Sequence, residues 1–399
     1  MTKQTIVTLP GDGIGRTVLE QAIRVLDASG FEANYMESDI GWEFWCREGN
    51  PLPQRTIDLL EKHKIALFGA ITSKPKDEAF EELAPELKEK GLIYSSPIVA
   101  LRQHFGLDIC LRPCRTYKGN PLNFVKRGSK NEITEPFVDV AIFRQNTEGL
   151  YGGVEWSNPP EQVYNALMTH PKFVKNFGKT PVQEISISTR IFTKKATERI
   201  LRAAFEHARK YNYKSVTLCE KPNVIRETSG MMYKMAQQIR EADYPEIELW
   251  NTNIDAQMMW LTKNPENYGV IVAGNMFGDI VSDAFAGLIG GLGFACSAQI
   301  NPDTGIGVFE PTHGSAPKYA DFAVSIVNPI AMIESACMML DYIDEHEKAG
   351  KIRDAVAKVV SEGKVRTYDM MMLRGSSDVV ENGAASTAQM ADAIIEKLK

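Results

Sequence analysis

The sequence predicts an α/β protein built around a substantially parallel sheet, and three observations carry that prediction. Short apolar or β-branched runs alternate with segments of helical period, as strand–helix–strand units require. The chain opens on a strand, a glycine loop and a helix. The composition is that of an ordinary globular chain: 399 residues, 44% hydrophobic and 24% charged, with 30 Gly and 20 Pro. Disordered, collagen-like and low-complexity architectures are thereby excluded.

Each element has its own signal. Thr5–Leu9 is rich in β-formers, Gly11-Asp12-Gly13-Ile14-Gly15 is the loop, and a helix follows from about Arg16 to Ser29. Its Val18, Ala22, Val25 and Leu26 share one face, and Gly30 stands where a C-terminal cap belongs. Ile65–Phe68, Phe137–Ile142, Ile185–Ile191, Ser215–Leu218, Val270–Ala273 and Ile326-Val327 read as further strands. A long helix starts near Thr193, with Ala196, Ile200, Ala204 and Ala208 on one face. The stretch Trp156–Pro181 holds Asn158-Pro159-Pro160, Pro171 and Gly178, so it is expected to leave the main sheet. Ala284–Pro302 carries no charge and approaches membrane-span length, yet Gly287, Gly290, Gly291 and Gly293 interrupt it. A buried helix, a glycine turn and a strand are expected there instead. Amphipathic helices from Ile330 to His346 and from Asp354 onward close the fold.

Forty-five basic residues against 51 acidic ones give a net charge of −6. That argues against a nucleic-acid binder and leaves room for an anionic small molecule on a local cationic pocket. The six cysteines form no CxxC pair, and Cys110 and Cys114 near His104 suit a core better than a zinc site. A reducing cytosol is the expected setting. The N-terminus, Met1-Thr2-Lys3-Gln4, leads into the first strand without a targeting segment, so a cytoplasmic protein with no membrane partner is expected.

Three sets of residues carry chemistry. The glycine loop has the spacing G-x-G-x-G with an aspartate inside it, not the G-x-G-x-x-G of a dinucleotide-binding Rossmann turn. A strand-to-helix turn needing positive φ explains it as well. Asp279 and Asp283 are four apart between apolar flanks and share a helical face. All-oxygen donors suit Mg²⁺ or Mn²⁺, and acids favouring a helix dipole are the other reading. Arg102, Arg112 and Arg144 suit bidentate carboxylate binding or surface ion pairs, and Arg112 and Arg144 directly follow apolar runs, where a strand end delivers a side chain.

Six motifs in order extend these sets: Leu9-Pro10-Gly11-Asp12-Gly13-Ile14-Gly15, Leu111-Arg112-Pro113, Arg144 to Tyr151, Lys221-Pro222-Asn223, Gly278 to Asp283, and Glu310 to Pro317. With them the chain resembles, over nearly its whole length, the β-decarboxylating dehydrogenases that act on isocitrate, homoisocitrate, isopropylmalate and tartrate. The resemblance implies an isocitrate/isopropylmalate dehydrogenase-like α/β fold, not Rossmann. It divides the chain into a large domain (1–107 and 290–399), a small domain (108–148 and 194–289) and a clasp arm (149–193). It also implies a homodimer with shared active sites and a polycarboxylate substrate. By that resemblance Arg102, Arg112 and Arg144 hold carboxylates, Tyr151 and Lys221 are the acid–base pair, and Asp255, Asp279 and Asp283 bind the metal. Lys221 and Asp255 reach into the neighbouring subunit's site. Non-catalytic regulatory subunits of the family lose one of these residues, and this chain keeps them all.

The same resemblance addresses substrate and coenzyme. Ser96 matches a serine used near the γ-carboxylate of isocitrate, whereas Ile98 departs toward the apolar residue of isopropylmalate enzymes. Isocitrate, the substrate of the tricarboxylic acid cycle enzyme, is expected first, then homoisocitrate, then 3-isopropylmalate. The segment Ala70–Tyr94 is longer than in common members. His313, Gly314, Ser315 and Ala316 resemble the adenosine loop, with Asn328 downstream. Lys318, Tyr319 and Tyr368 resemble a 2′-phosphate site, although Met372 stands where an arginine is usual. NADP is expected, with NAD as the alternative.

Overall fold

The computed structural model describes residues 3–399. Met1 and Thr2, the start of the expected lead-in, lie outside the described residues. The strands are β1 (Gln4–Gly11), β2 (Ala33–Glu37), β3 (Ile65–Ala70), β4 (Ile109–Arg115), β5 (Lys126–Arg127), β6 (Ile133–Thr134), β7 (Asp139–Gln145), β8 (Glu155–Ser157), β9 (Ser186–Ser188), β10 (Ser215–Glu220), β11 (Glu248–Asn253), β12 (Val270–Ala273), β13 (Cys296–Asn301) and β14 (Ile306–Pro311). Ten of them form one sheet in the order β11-β10-β12-β7-β4-β13-β14-β3-β1-β2. Its flanks are parallel, as expected. Its middle is antiparallel, where β4 pairs with β7 and β13, and β13 with β14.

Helices cover both flanks. Gly15–Ala28, Ile330–Tyr342, His346–Glu362 and Thr387–Leu398 pack together beside β1, β3 and β14. Ile330–Tyr342 is buried almost all round, which explains its nearly unbroken apolar sequence. Lys194–Lys210, capped by the Thr193 hydroxyl on the Ala196 N–H, and Thr228–Asp243 enclose a second core against β7, β10 and β12. The stretch Trp156–Pro181 leaves the main sheet as expected, and it holds the helices Glu161–Met168 and Pro171–Phe177. The strand expected over Ile185–Ile191 is shorter, β9, and pairs only with β8 in a separate ladder. Among the described residues no helix is long and apolar enough to cross a membrane. Ala284–Pro302 is a helix end, a glycine turn and β13.

Two expectations are corrected. Ile326 and Val327 are buried but form no strand, because the last helix claims their neighbourhood: Thr387 donates its N–H to the Ser325 carbonyl (2.9 Å) and its hydroxyl to that of Val327 (2.6 Å). The helix from Ile330 stops at Tyr342 and a new one begins at His346. Asp344 there takes φ +63°, and the Glu345 N–H returns to the Leu340 carbonyl, a turn that ends a helix.

Candidate active site

Arg112 and Arg144 stand on adjacent antiparallel strands. Arg112 pairs with Ile142 and Cys110 with Arg144, so both arginines point to one face. Arg112 sits in the middle of β4 rather than at a strand end, which corrects that expectation; Arg144 is next to last in β7. The helix Asn275–Leu288 lies over that face, and Gly278 lets it lie close. A Cβ at Gly278 would stand 2.8 Å from Cβ and Cγ of Arg144. Asp279 and Asp283 project from this helix beyond its first turn, so stabilisation of its N-terminal dipole does not explain them. Arg112 Nη1 donates to Asp279 (3.1 Å), Asp283 (3.0 Å) and Ser282 Oγ (2.8 Å). Arg144 donates Nη1 to Asp279 and Nε to Asn275 Oδ1 (3.0 Å).

These are interior groups. The Arg112 and Arg144 side chains are 9% and 3% exposed, which rules out surface ion pairs, while Asp279 is 30% and Asp283 59% exposed. Burial, together with the nearby Arg112 and Arg102, lowers the Arg144 pKa to about 10, so it stays cationic at neutral pH. Burial also raises the Asp283 carboxyl, against the pull of Arg112. Arg102, on the helix Pro97–Phe105, donates Nε to Gln299 Oε1 (2.6 Å) and lies 3.8 Å from Glu310, a carboxyl that burial raises. Asn146 shares the Gln299 oxygen (2.8 Å). The structure therefore gathers the three arginines: Arg144 feels the charge of Arg112 and Arg102, and Glu310 feels that of all three.

Tyr151 joins this group. Arg144 lies over its ring at 5.8 Å, and it is half exposed. Partial burial and the charge of Asp279 raise its pKa, so the hydroxyl keeps its proton at neutral pH. Lys221 and Asp255 form a separate ion pair. β10 and β11 run parallel with Glu220 opposite Asn253, so the residues just past both strand ends meet. Among the described residues no three His, Cys, Asp or Glu side chains gather as a metal site within one chain. Asp255 does not join Asp279 and Asp283.

Ser96 precedes the Arg102 helix, and Ile98 lies one turn before Arg102, half-buried against the core that includes Leu101 and Phe105. The glycine loop lies against the segment His313–Ala316: the Ile14 N–H donates to the Ser315 carbonyl (3.0 Å). Gly13, at φ +56°, faces that carbonyl so closely that a Cβ would stand 2.2 Å from it. Gly314 is exposed, Ala316 adopts φ +39°, and burial lowers the His313 pKa. Lys318 Nζ lies 4.6 Å from the Tyr319 ring centre, and Tyr319 meets Tyr368 edge-on at 5.6 Å. Asn328 turns inward, donating to Asp369 (3.1 Å) and accepting from the Ile330 N–H (3.0 Å).

Sequence reasoning missed the polar residues that seat the arginines: Asn275, Ser282, Gln299 and, as a partner of Arg102, Glu310. Polar residues alternating along a buried strand, as Ser297, Gln299 and Asn301 do in β13, were the available signal.

The chain matches the family described as isocitrate/isopropylmalate dehydrogenase over residues 5–394. It is 38% identical over 391 residues to Protein DlpA of Legionella pneumophila, a match covering 98% of this chain and 58% of that relative. Homoisocitrate dehydrogenase of Methanocaldococcus jannaschii is 38% identical over 360 residues, covering 90% of this chain and 91% of the other. Among solved structures, isocitrate dehydrogenase from Methylococcus capsulatus is similar with a TM-score of 0.79 at 32% identity, covering 99% of both chains.

Proposed function

The chain belongs to the isocitrate/isopropylmalate dehydrogenase family, and from that premise we propose that it oxidises and decarboxylates isocitrate to 2-oxoglutarate with NADP as hydride acceptor. The observation that carries this reading is the gathering of Arg102, Arg112 and Arg144 beside Tyr151. Three guanidiniums around one space favour a substrate with several carboxylates over a monoacid.

The roles follow from chemistry. Arg102, Arg112 and Arg144 hold the carboxylates and orient C2 toward the nicotinamide. Lys221 takes the hydroxyl proton while hydride leaves C2 for the coenzyme. Loss of CO₂ from the oxidised substrate leaves an enolate, and Tyr151, protonated at neutral pH, supplies the proton that quenches it at carbon. Asp279 and Asp283 offer the hard oxygen donors that Mg²⁺ or Mn²⁺ takes, and their helix leaves Asp283 open to solvent. When bound, that cation supplies Lewis-acid polarisation of the substrate oxygen. Lys221 and Asp255 stand apart from this group within one chain, which supports a homodimer in which each copy lends them to the other's site.

Lys318 packs on Tyr319 beside Tyr368 and has no carboxylate partner among the described residues, which favours the 2′-phosphate of NADP over NAD. His313, Gly314, Ser315, Ala316 and Asn328 complete the coenzyme side. The division into a large domain (1–107 and 290–399), a small domain (108–148 and 194–289) and an arm (149–193) belongs to the same reading, as does a cytoplasmic setting.

One observation favours a second reading. Ile98 offers an apolar surface beside Ser96, which suits homoisocitrate or 3-isopropylmalate. The test is a panel of isocitrate, homoisocitrate, 3-isopropylmalate and tartrate, each with NAD and NADP and with Mg²⁺. The highest kcat/KM is expected for isocitrate with NADP. No turnover of any of the four by the purified chain would replace the enzyme with a regulatory subunit.

A further inference from the structure

The segment that follows β3 folds as a small unit of its own. A short helix, Lys76–Glu81, and a 3₁₀ turn, Pro85–Lys90, bury Ala79, Leu83 and Leu87 against Trp45. Trp45 Nε1 donates to the Ala79 carbonyl (2.8 Å), and the Ala84 N–H donates to the Cys46 carbonyl (2.8 Å). This cluster is separate from the main cores, and hydrogen bonds link the unit to the rest of the chain. One of them passes through Thr72, and the substrate-side residues Ser96 and Ile98 begin where the unit ends.

Thr72 uses three polar groups in three directions. Its N–H donates to Asp12 Oδ2 (2.8 Å), in the glycine loop. Its hydroxyl shares a hydrogen bond with Ser315 Oγ (2.6 Å), in the segment assigned above to the coenzyme. Its carbonyl accepts from the Tyr94 hydroxyl (3.0 Å), two residues before Ser96. Asp12 also accepts from the Trp42 N–H (2.8 Å), so the glycine loop, the helix Trp42–Glu48 and Thr72 share one carboxylate. The Tyr94 ring is held edge-on by Trp42 (5.0 Å) and Trp45 (5.3 Å), which keeps its hydroxyl between the Thr72 carbonyl and Ser73 Oγ (3.3 Å).

We propose that Tyr94 and Thr72 are positioning residues that tie the coenzyme segment at Ser315 to the substrate residue Ser96, so that occupancy of one side tightens the other. The proposal rests on the functional reading above. Ordering the Ser315 segment around a coenzyme fixes the Thr72 hydroxyl. The Thr72 carbonyl then holds Tyr94, and Tyr94 sets the backbone that presents Ser96. The energy is that of the ordering each ligand saves the other, and it acts in both directions.

The test uses two variants that keep the packing. Tyr94→Phe removes the hydroxyl that reaches Thr72 and, more distantly, Ser73 Oγ (3.3 Å). Thr72→Val removes the bond to Ser315 and keeps both backbone links. For each protein, the Kd of isocitrate with Mg²⁺ is measured by calorimetry with and without NADPH, beside kcat and the thermal midpoint. Wild type is expected to bind isocitrate more tightly when NADPH is present. Each variant is expected to lose about threefold or more of that tightening, within the reach of one neutral hydrogen bond. The double variant should lose no more than the larger single loss, because both bonds lie on one path. Values of kcat within about twofold of wild type and an unchanged midpoint separate positioning from a merely structural role. An unchanged tightening in Tyr94→Phe overturns the proposal, as does a wild type without any. A wild type that turns over no substrate of the panel overturns the functional reading and this proposal with it.

Discussion

Asp279 and Asp283 differ in what their charge does, and the paired variants Asp279→Asn and Asp283→Asn separate the two jobs. Asp279 lies between Arg112 and Arg144, whose side chains are almost wholly buried. Its loss leaves two interior guanidiniums facing each other, with Asp283 touching only Arg112. Removing one partner of a buried pair costs about 3–5 kcal/mol. Arg144 is already the less comfortable cation, with a pKa lowered to about 10 by burial and by Arg112. Asp283 is 59% exposed, so solvent screens its one ion pair at 3.0 Å, and Asp279 still holds the buried Arg112 once it is lost; its cost is roughly 0–1 kcal/mol. Two isosteric changes, each deleting one negative charge one helical turn apart, should therefore differ by about 3 kcal/mol in the metal-free protein.

The assay is urea unfolding in EDTA and again with Mn²⁺. Midpoints are the quantity to compare, because a chain of this size need not unfold in one step. In EDTA, Asp283→Asn should unfold near wild type and Asp279→Asn well below it. With Mn²⁺ the wild-type midpoint should rise by mass action, and both variants should lose that rise. A polycarboxylate should restore Asp279→Asn more than Asp283→Asn, since it returns negative charge to the guanidiniums. Equal midpoints for the two variants in EDTA would refute the electrostatic argument. An undiminished Mn²⁺ shift in Asp283→Asn would refute its role at the metal.

Three further outcomes are expected. Lys221→Met and Tyr151→Phe should each lower kcat by about 10²–10⁴ while coenzyme binding by fluorescence is retained, and near-native kcat in either removes that residue from proton transfer. Lys318→Asp should reverse the coenzyme preference toward NAD, read as the ratio of kcat/KM values; an unchanged ratio would take the 2′-phosphate elsewhere. Burial, reinforced by Lys210, lowers the His207 pKa to about 4, beneath its ordinary 6.5, so the unfolded chain binds a proton first as pH falls. That contribution to stability is intact above pH 6.5 and is lost toward pH 4, about 1–2 kcal/mol between pH 7 and pH 5. A His207→Gln protein whose acid sensitivity equals that of wild type would assign the loss to other groups.

What was legible in the chain was what a single segment can encode. The i, i+4 aspartates, the helix face of Ala196 to Ala208 and the helix start near Thr193 each belong to one element, and the structure retains each of them. Ile326 and Val327 had the composition of a strand, but a carbonyl can pair with any donor brought to it, and here the donor is Thr387, far along the chain. Arg112 looked like a strand end because apolar residues precede it. The antiparallel partner β7 continues the ladder past it, a fact that lies in another segment.

The site divides along the same line. The arginines could be named from the sequence, yet their company could not. Gln299 on β13 and Glu310 on β14 reach Arg102 only because the middle of the sheet is antiparallel, while Asn275 reaches Arg144 because Gly278 admits the helix. Lys221 and Asp255 show the opposite case. Each follows the end of a parallel strand, so their meeting is a matter of local register, and one chain satisfies it without the other acids. Lys221 and Asp255 thus meet through their own strands alone, whereas Asp279 and Asp283 answer to arginines that other strands deliver.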